Sequence, residues 1–359
     1  MRRTLVATLL LGLIAASCAD DESASDSTPT TEAPSTTEPT TTTTSEPPAS
    51  TSSTSTTTTT AVEPDCDAVS PGLTTSTVAS GGNDYELRLF VPETIGDGPA
   101  PLVLNWHGLG SNGEQQAGFS LHEGLAAVEG YIVASPTAFP DPTDVEERNS
   151  WELPQFDVAG RDDVAFAEDL IDLLVGQYCA DPARVYSTGM SNGGLFTSVL
   201  VCELNDRIAA AVSVAGVTRA DPCAFERGVP FLAIHGTEDD IVPYAGEADR
   251  SPLLTPTAPL GSREFLSQVM PDEFGEIAAD MGCDPTPVFS EFAADIRAHE
   301  YQNCPDGVPV VFYEAIDAGH TWPGSPFADI LEDRGLGATT PNYDATADGW
   351  AFMSQYSLG

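Results

Sequence analysis

The stretch VYSTGMSNGGLF, residues 185–196, sets Ser191 between Gly189 and Gly193, directly after a β-branched run. A serine hydroxyl becomes a nucleophile when a base takes its proton, an acid orients that base, and N–H donors meet the developing oxyanion. Further along the chain, Asp239 lies in FLAIHGTEDDIVPY and His320 in VPVVFYEAIDAGHTWPG. Both stretches open on an apolar run that reads as a buried strand and then pass into a polar loop. Acid and base therefore stand just past the C-terminal ends of strands, where catalytic groups of an open sheet gather. Asp240 could replace Asp239 only with a shifted loop. Glu238 reads as solvent-facing, Asp317 as support for the histidine's loop, and His235 as a hydrogen-bonded structural residue in its strand-end turn. His122 and His299 lack any such setting.

Ser191 follows a strand and precedes a helix, the setting of a nucleophile elbow. Glycines two residues before and two after it relieve the crowding of a sharp turn, and the helix N-terminus favours negative charge nearby. One oxyanion donor is the backbone N–H of Asn192. The second comes from the loop NWHGLGSNG, residues 105–113, where Leu109 is assigned and Gly110 is the neighbouring choice. His107 precedes the nucleophile and has no acid mate, so it reads as packing for that loop.

The elements that must position these residues are legible from periodicity. TTSTVA and YELRLFVP alternate as an antiparallel pair, while APLVLNWHG, YIVASP, RVYSTG, IAAAVSVAG, PFLAIHG and VPVVFYEAI are buried runs. HEGLAAVEG, DDVAFAEDLIDLLVGQYC, GGLFTSVLVCEL and EFGEIAADMG read as helices between them. Strands alternating with helices predict an α/β class with a mostly parallel central sheet flanked by helices. The order Ser191, Asp239, His320 is that of the α/β-hydrolase fold. Residues 247–300 are less regular and read as a cap or the wall of a cleft.

Residues 1–17, MRRTLVATLLLGLIAAS, have a basic start and an apolar middle, as an export signal does. The segment and the following Cys18 resemble a bacterial lipoprotein signal, which implies lipidation of Cys18; an ordinary secretory signal is the alternative. Residues 18–65 are dominated by Ser, Thr, Pro and Ala and read as a disordered stalk, leaving 66–359 as the catalytic domain. Export to the outer face of the membrane or the cell wall, or secretion, is expected. Six further cysteines in an exported chain favour disulfides; modest loops suggest Cys202–Cys223 and Cys283–Cys304, which leaves Cys66–Cys179. All 13 basic residues are arginine and the formal net charge is −42, which disfavours nucleic-acid partners.

The chain resembles the secreted esterase family that includes poly(3-hydroxybutyrate) depolymerases, feruloyl esterases and acetylxylan esterases. The likeness runs from Gly81 to Tyr356 and is carried by HGLGSNG (107–113), RDDVAFAEDLI (161–171), DPARVYSTGMSNGG (181–194), HGTEDDIVPYAG (235–246) and GHTWPGS (319–325). It implies the α/β-hydrolase fold, with Ser191 as nucleophile, Asp239 as orienting acid and His320 as base. The tail NYDATADGWAFMSQYS looks like the family's closing helix, with Trp350 and Phe352 in the core. Trp106 and Ala318 depart from the usual aliphatic residue and glycine. The implied activity is hydrolysis, through an acyl-enzyme, of short, hydroxyacyl or aromatic esters of extracellular polymers or oligomers, by a monomer with no cofactor or metal. An inactive hydrolase scaffold serving as a surface binding module is the alternative. Trp151 and Trp322 are candidates for an apolar substrate wall, with core packing as the other reading.

Overall fold

A computed structural model describes residue 66 and residues 69–359, apart from 94, 96–97, 141–146, 154–160, 221–222, 256–257 and 259–261. The signal at 1–17, Cys18 and the stalk to residue 65 lie outside the described residues. In chain order, β1 (Gly72–Ser80) and β2 (Asn83–Val91) pair antiparallel, as their alternation predicts. Then come β3 (Ala100–Trp106), α1 (Gly113–Ser120), α2 (His122–Glu129), β4 (Ile132–Thr137), α3 (Asp163–Gln177), β5 (Ala180–Met190) and α4 (Asn192–Glu203). The remainder is β6 (Ala210–Val214), β7 (Phe231–Gly236), α5 (Ser262–Leu266), α6 (Met270–Met281), β8 (Val288–Ala293), β9 (Ile296–Tyr301), β10 (Val310–Ala315), α7 (Ala328–Asp333) and α8 (Ala347–Met353).

The strands form one ten-stranded sheet in the order β1-β2-β4-β3-β5-β6-β7-β10-β9-β8. From β4 to β10 every neighbouring pair is parallel, and antiparallel pairs flank that centre on both sides. This is the α/β-hydrolase arrangement. Alternate side chains of each central strand enter different cores, as a period of two requires. Leu102 and Leu104 of β3 join Phe166, Leu170, Phe196, Phe231, Phe274 and Phe312 on one face. Val103 points to the other, with Tyr131, Tyr186, Val212, Trp322 and Trp350.

The segment read as a cap takes a different course. Residues 288–301 form the hairpin β8–β9, which extends the sheet antiparallel beyond β10, and α6 packs on the sheet through Phe274, Ile277 and Met281. The hairpin was hidden in the sequence because β8 is exposed along most of its length and carries no buried stripe. In the closing helix, Trp350 stacks on Tyr131 at 4.0 Å, whereas Phe352 is only half-buried against Tyr356, so it sits at the rim rather than in the core. The three disulfides join Cys66–Cys179, Cys202–Cys223 and Cys283–Cys304, the expected pairs. Among the described residues no helix is long and apolar enough to cross a membrane.

Phe274 is fully buried between Phe231 (5.0 Å between ring centroids) and Phe312 (5.5 Å). Phe274→Ala should cost about 3–5 kcal/mol of unfolding free energy, measured by chemical denaturation. A cost below about 0.5 kcal/mol, the level of a neutral surface change, would contradict the packing of α6 against the sheet.

Candidate active site

Ser191 occupies the turn between β5 and α4 with φ 57° and ψ −123°, a left-handed conformation that a serine adopts only under constraint. Its N–H donates to Val214 O at the end of β6 (2.9 Å), and its carbonyl accepts from Leu195 N (2.8 Å). A Cβ at Gly193 would collide with the carbonyl oxygen of Trp106, and one at Gly189 with the carbonyl of Gly193. The flanking glycines thus permit backbone contact between the elbow and β3, and that contact holds the turn.

Asp239 and His320 come together because β7 and β10 are parallel neighbours whose ends are in register, Gly236 opposite Ala315. The loops that follow are tied by Glu238 N–H to Ala318 O (2.9 Å) and Asp317 N–H to Thr237 Oγ1 (2.9 Å). His320 Nδ1 donates to Asp239 Oδ2 at 2.7 Å, which leaves Nε2 with its lone pair for a proton. Oδ1 accepts from the N–H groups of Ile241 (2.8 Å) and Val242 (2.9 Å). Burial pushes the Asp239 carboxyl up, but the charge and hydrogen bond of His320 and the hydrogen bond from His235 outweigh it and hold the acid well below the usual carboxylate range. Asp240 has a side chain 49 % exposed, paired with Arg250 at 2.6 Å, and faces away from this arrangement.

His235 is closer to the acid than its sequence setting suggests. Its Nε2 lies 2.9 Å from Val242 O and 3.2 Å from Asp239 Oδ2, so two imidazoles share one carboxylate oxygen. The four-residue spacing across the HGTED turn was the available signal. The Ser191 hydroxyl makes no hydrogen bond to His320 among the described residues. Such contacts are often long in a free enzyme and tighten when substrate binds.

In the loop after β3, the Gly110 N–H is already committed to Asn149 O (2.8 Å). That leaves the Leu109 N–H without a partner among the described residues, as is the first-turn N–H of Asn192, the residue after Ser191. His107 packs this loop as expected. Ala138 N–H donates to its Nε2 (2.9 Å), so the proton resides on Nδ1, which donates to Gly108 O (2.7 Å). The expectation of an aromatic substrate wall is corrected. Trp151 is 1 % exposed and Trp322 fully enclosed, so both belong to the core. Their indole N–H groups are used internally, Trp151 on His107 O (3.0 Å) and Trp322 on Thr346 Oγ1 (3.1 Å). Trp106 is likewise buried, its indole N–H donating to Ser187 Oγ (2.9 Å). Among the described residues no group of three or more His, Cys, Asp or Glu could hold a metal ion.

No family model matches the chain. It is similar to feruloyl esterase B of Piromyces equi, 27 % identical over 268 residues, covering 73 % of this chain and 43 % of that protein. The bifunctional acetylxylan esterase/xylanase XynS20E of Neocallimastix patriciarum is 28 % identical over 163 residues, covering 45 % of this chain and 22 % of its own length. A putative esterase, NocK, of Nocardia uniformis subsp. tsuyamanensis is 28 % identical over 244 residues, 63 % of this chain and 67 % of that protein. The chain thus spans less than half the length of the first two. Among solved structures, the acetyl xylan esterase of Aspergillus awamori is 16 % identical with a TM-score of 0.47, covering 74 % of this chain and all of that one.

Two buried histidines make the fold acid-sensitive. Burial pushes His107 down to about 4 and His122 down to about 3, against 6.5 when exposed. The unfolded chain therefore takes up these protons first, so their stabilisation is complete above about pH 6.5 and is lost as the pH falls toward 4 and then 3. Unfolding free energy should decline over that window, and His122→Phe should flatten the slope. An unchanged slope in that variant would show that His122 protonates freely within the fold.

Proposed function

We propose that the chain is a serine carboxylic ester hydrolase working through an acyl-enzyme. The observation that carries this reading is the 2.7 Å bond between His320 Nδ1 and Asp239 Oδ2, which, like the constrained Ser191 turn, lies past the C-terminal ends of central parallel strands. In the mechanism, His320 Nε2 removes the Ser191 proton as Oγ attacks the ester carbonyl. The Leu109 and Asn192 N–H groups receive the oxyanion, and Asp239 stabilises the imidazolium. Collapse of the tetrahedral species expels the alcohol, which takes its proton from His320. The same histidine then activates water to release the acid and regenerate Ser191 Oγ–H. The chemistry calls for no metal or organic cofactor.

The substrate class rests on the relatives and on the chain's amino-terminal segment. Relatives named as feruloyl and acetylxylan esterases support short or aromatic acyl groups, with hydroxyacyl esters in the same range. An export signal, Cys18 as a lipid attachment point and a Ser/Thr/Pro-rich stalk support a place outside the cell, where esters of polymers and oligomers are the accessible substrates. Three disulfides fit an exported domain.

Ser191→Ala should abolish hydrolysis of a short nitrophenyl ester while leaving the unfolding midpoint intact. A triad serine is worth on the order of 10⁶ in turnover in another serine hydrolase. Asp239→Asn should cost on the order of 10⁴, as the imidazole loses its orientation, and Asp240→Asn should stay close to native. The reverse ranking of the two aspartates would reassign the acid. Across acetyl, feruloyl and palmitoyl esters, kcat/KM should favour acetyl or feruloyl. A palmitoyl preference would require a different substrate class.

A further inference from the structure

We propose that Trp151 is a positioning residue that joins the two oxyanion amides, Leu109 and Asn192, into one rigid unit; the inference rests on the ester-hydrolase reading above. The Asn192 side chain clasps the Trp151 backbone at two points. Its Oδ1 accepts from Trp151 N–H (2.7 Å) and its Nδ2 donates to Trp151 O (3.2 Å). From the other end of the residue, the indole Nε1–H donates to His107 O (3.0 Å). The His107 ring in turn donates to Gly108 O (2.7 Å), which Ser111 N–H also reaches (3.1 Å).

The last contact aims a donor. Gly108 O and Leu109 N–H belong to one trans peptide plane and point in opposite directions. Fixing the carbonyl therefore fixes where the Leu109 N–H points. Asn192 carries the other oxyanion N–H on its own backbone, so the chain of bonds runs from one donor to the other through Trp151. Every side chain in it is buried.

Trp151 is itself immobilised. Its ring lies parallel to Phe196 (5.2 Å) and edge-on to Trp106 (4.9 Å). The residues beside it are bound by the RDD sequence at the start of α3. Arg161 donates to Ser150 O, and Glu152 N–H donates to Asp163 Oδ2 (2.7 Å). Tyr85 OH holds Asp163 Oδ1 (2.7 Å). This gives RDDVAFAEDLI a task beyond covering the sheet: it anchors the segment that sets the oxyanion hole. A donor must be in place before charge develops, because a misplacement of about 1 Å can cost on the order of 100-fold in rate.

The test uses two variants that break the connection from opposite ends. Trp151→Phe keeps an aromatic ring in the stack and removes only the indole donor, while Asn192→Ala opens the clasp without touching the ring. Each should lower kcat on a short nitrophenyl ester by roughly tenfold or more, with KM within about twofold of native. Affinity for a phenylboronic acid, whose serine adduct places an oxygen in the oxyanion site, should fall by the same factor. The double variant should lose no more than the worse single one, since both interrupt one linkage. If Trp151→Phe fails to fold, Asn192→Ala alone decides through its kcat loss and boronate affinity. Native kcat and boronate affinity in either folded variant, or fully additive losses, would overturn the inference while leaving the ester-hydrolase reading intact. A native protein that neither cleaves esters nor binds the boronate would overturn both.

Discussion

Backbone contact between the turn after β5 and the end of β3 is the constraint on which the rest of the site depends. The helix begins one residue after Ser191, so α4 must start almost against the sheet. The carbonyl of Trp106 occupies the space that a side chain at residue 193 would need. A serine at φ 57° is held at a cost of about 1–3 kcal/mol, and only an over-determined surrounding can sustain it. That surrounding exists: β5 lies between β3 and β6, and α4 is buried along nearly its whole length. The turn that cannot relax is the turn that carries Ser191 at the end of β5.

A second constraint is the charge of Asp239, which is kept inside the protein. A carboxylate with no solvent access is costly unless its oxygens are satisfied. Here two backbone N–H groups take Oδ1, and two imidazoles approach Oδ2. The loop 237–242 folds around its own aspartate, so its backbone N–H groups fix the carboxylate's orientation. Its neighbour Asp240 illustrates the contrast. One residue further along, the carboxylate is half in water and pairs with Arg250, where an ion pair contributes only about 0–1 kcal/mol. Identical side chains at adjacent positions thus carry different chemistry because the turn sends them to different dielectrics.

Among the described residues Asp163 is the other buried acid. Described arginines such as Arg88, Arg184, Arg207, Arg219 and Arg297 each meet at least one carboxylate. Arg227 instead donates to the backbone carbonyls of Asn205, Ile208 and Gly228, serving as a structural clamp rather than a counter-charge. The formal net charge of the full sequence is −42.

By itself the sequence determined the class of fold, the six central strands, the elbow around Ser191 and the placement of Asp239 and His320 past strand ends. These are local properties: runs of apolar residues, glycines at fixed offsets and chain order all survive in one dimension. The β8–β9 hairpin is not legible in the sequence, because an exposed edge strand has no reason to show a buried period. The placement of Trp151, Trp322 and the Asn192 side chain was decided only by tertiary structure, as was the approach of His235 to Asp239, whereas the hydrogen-bonded structural place of His235 was legible in its strand-end turn. A tryptophan beside polar loops can face a ligand or the core with the same neighbours in sequence. Trp151 faces the core because Phe196, Trp106 and His107, drawn from distant elements, enclose it. Hydrogen bonds between residues 41 and 44 positions apart are set by how strands and loops stack, and no pattern along the chain encodes that distance.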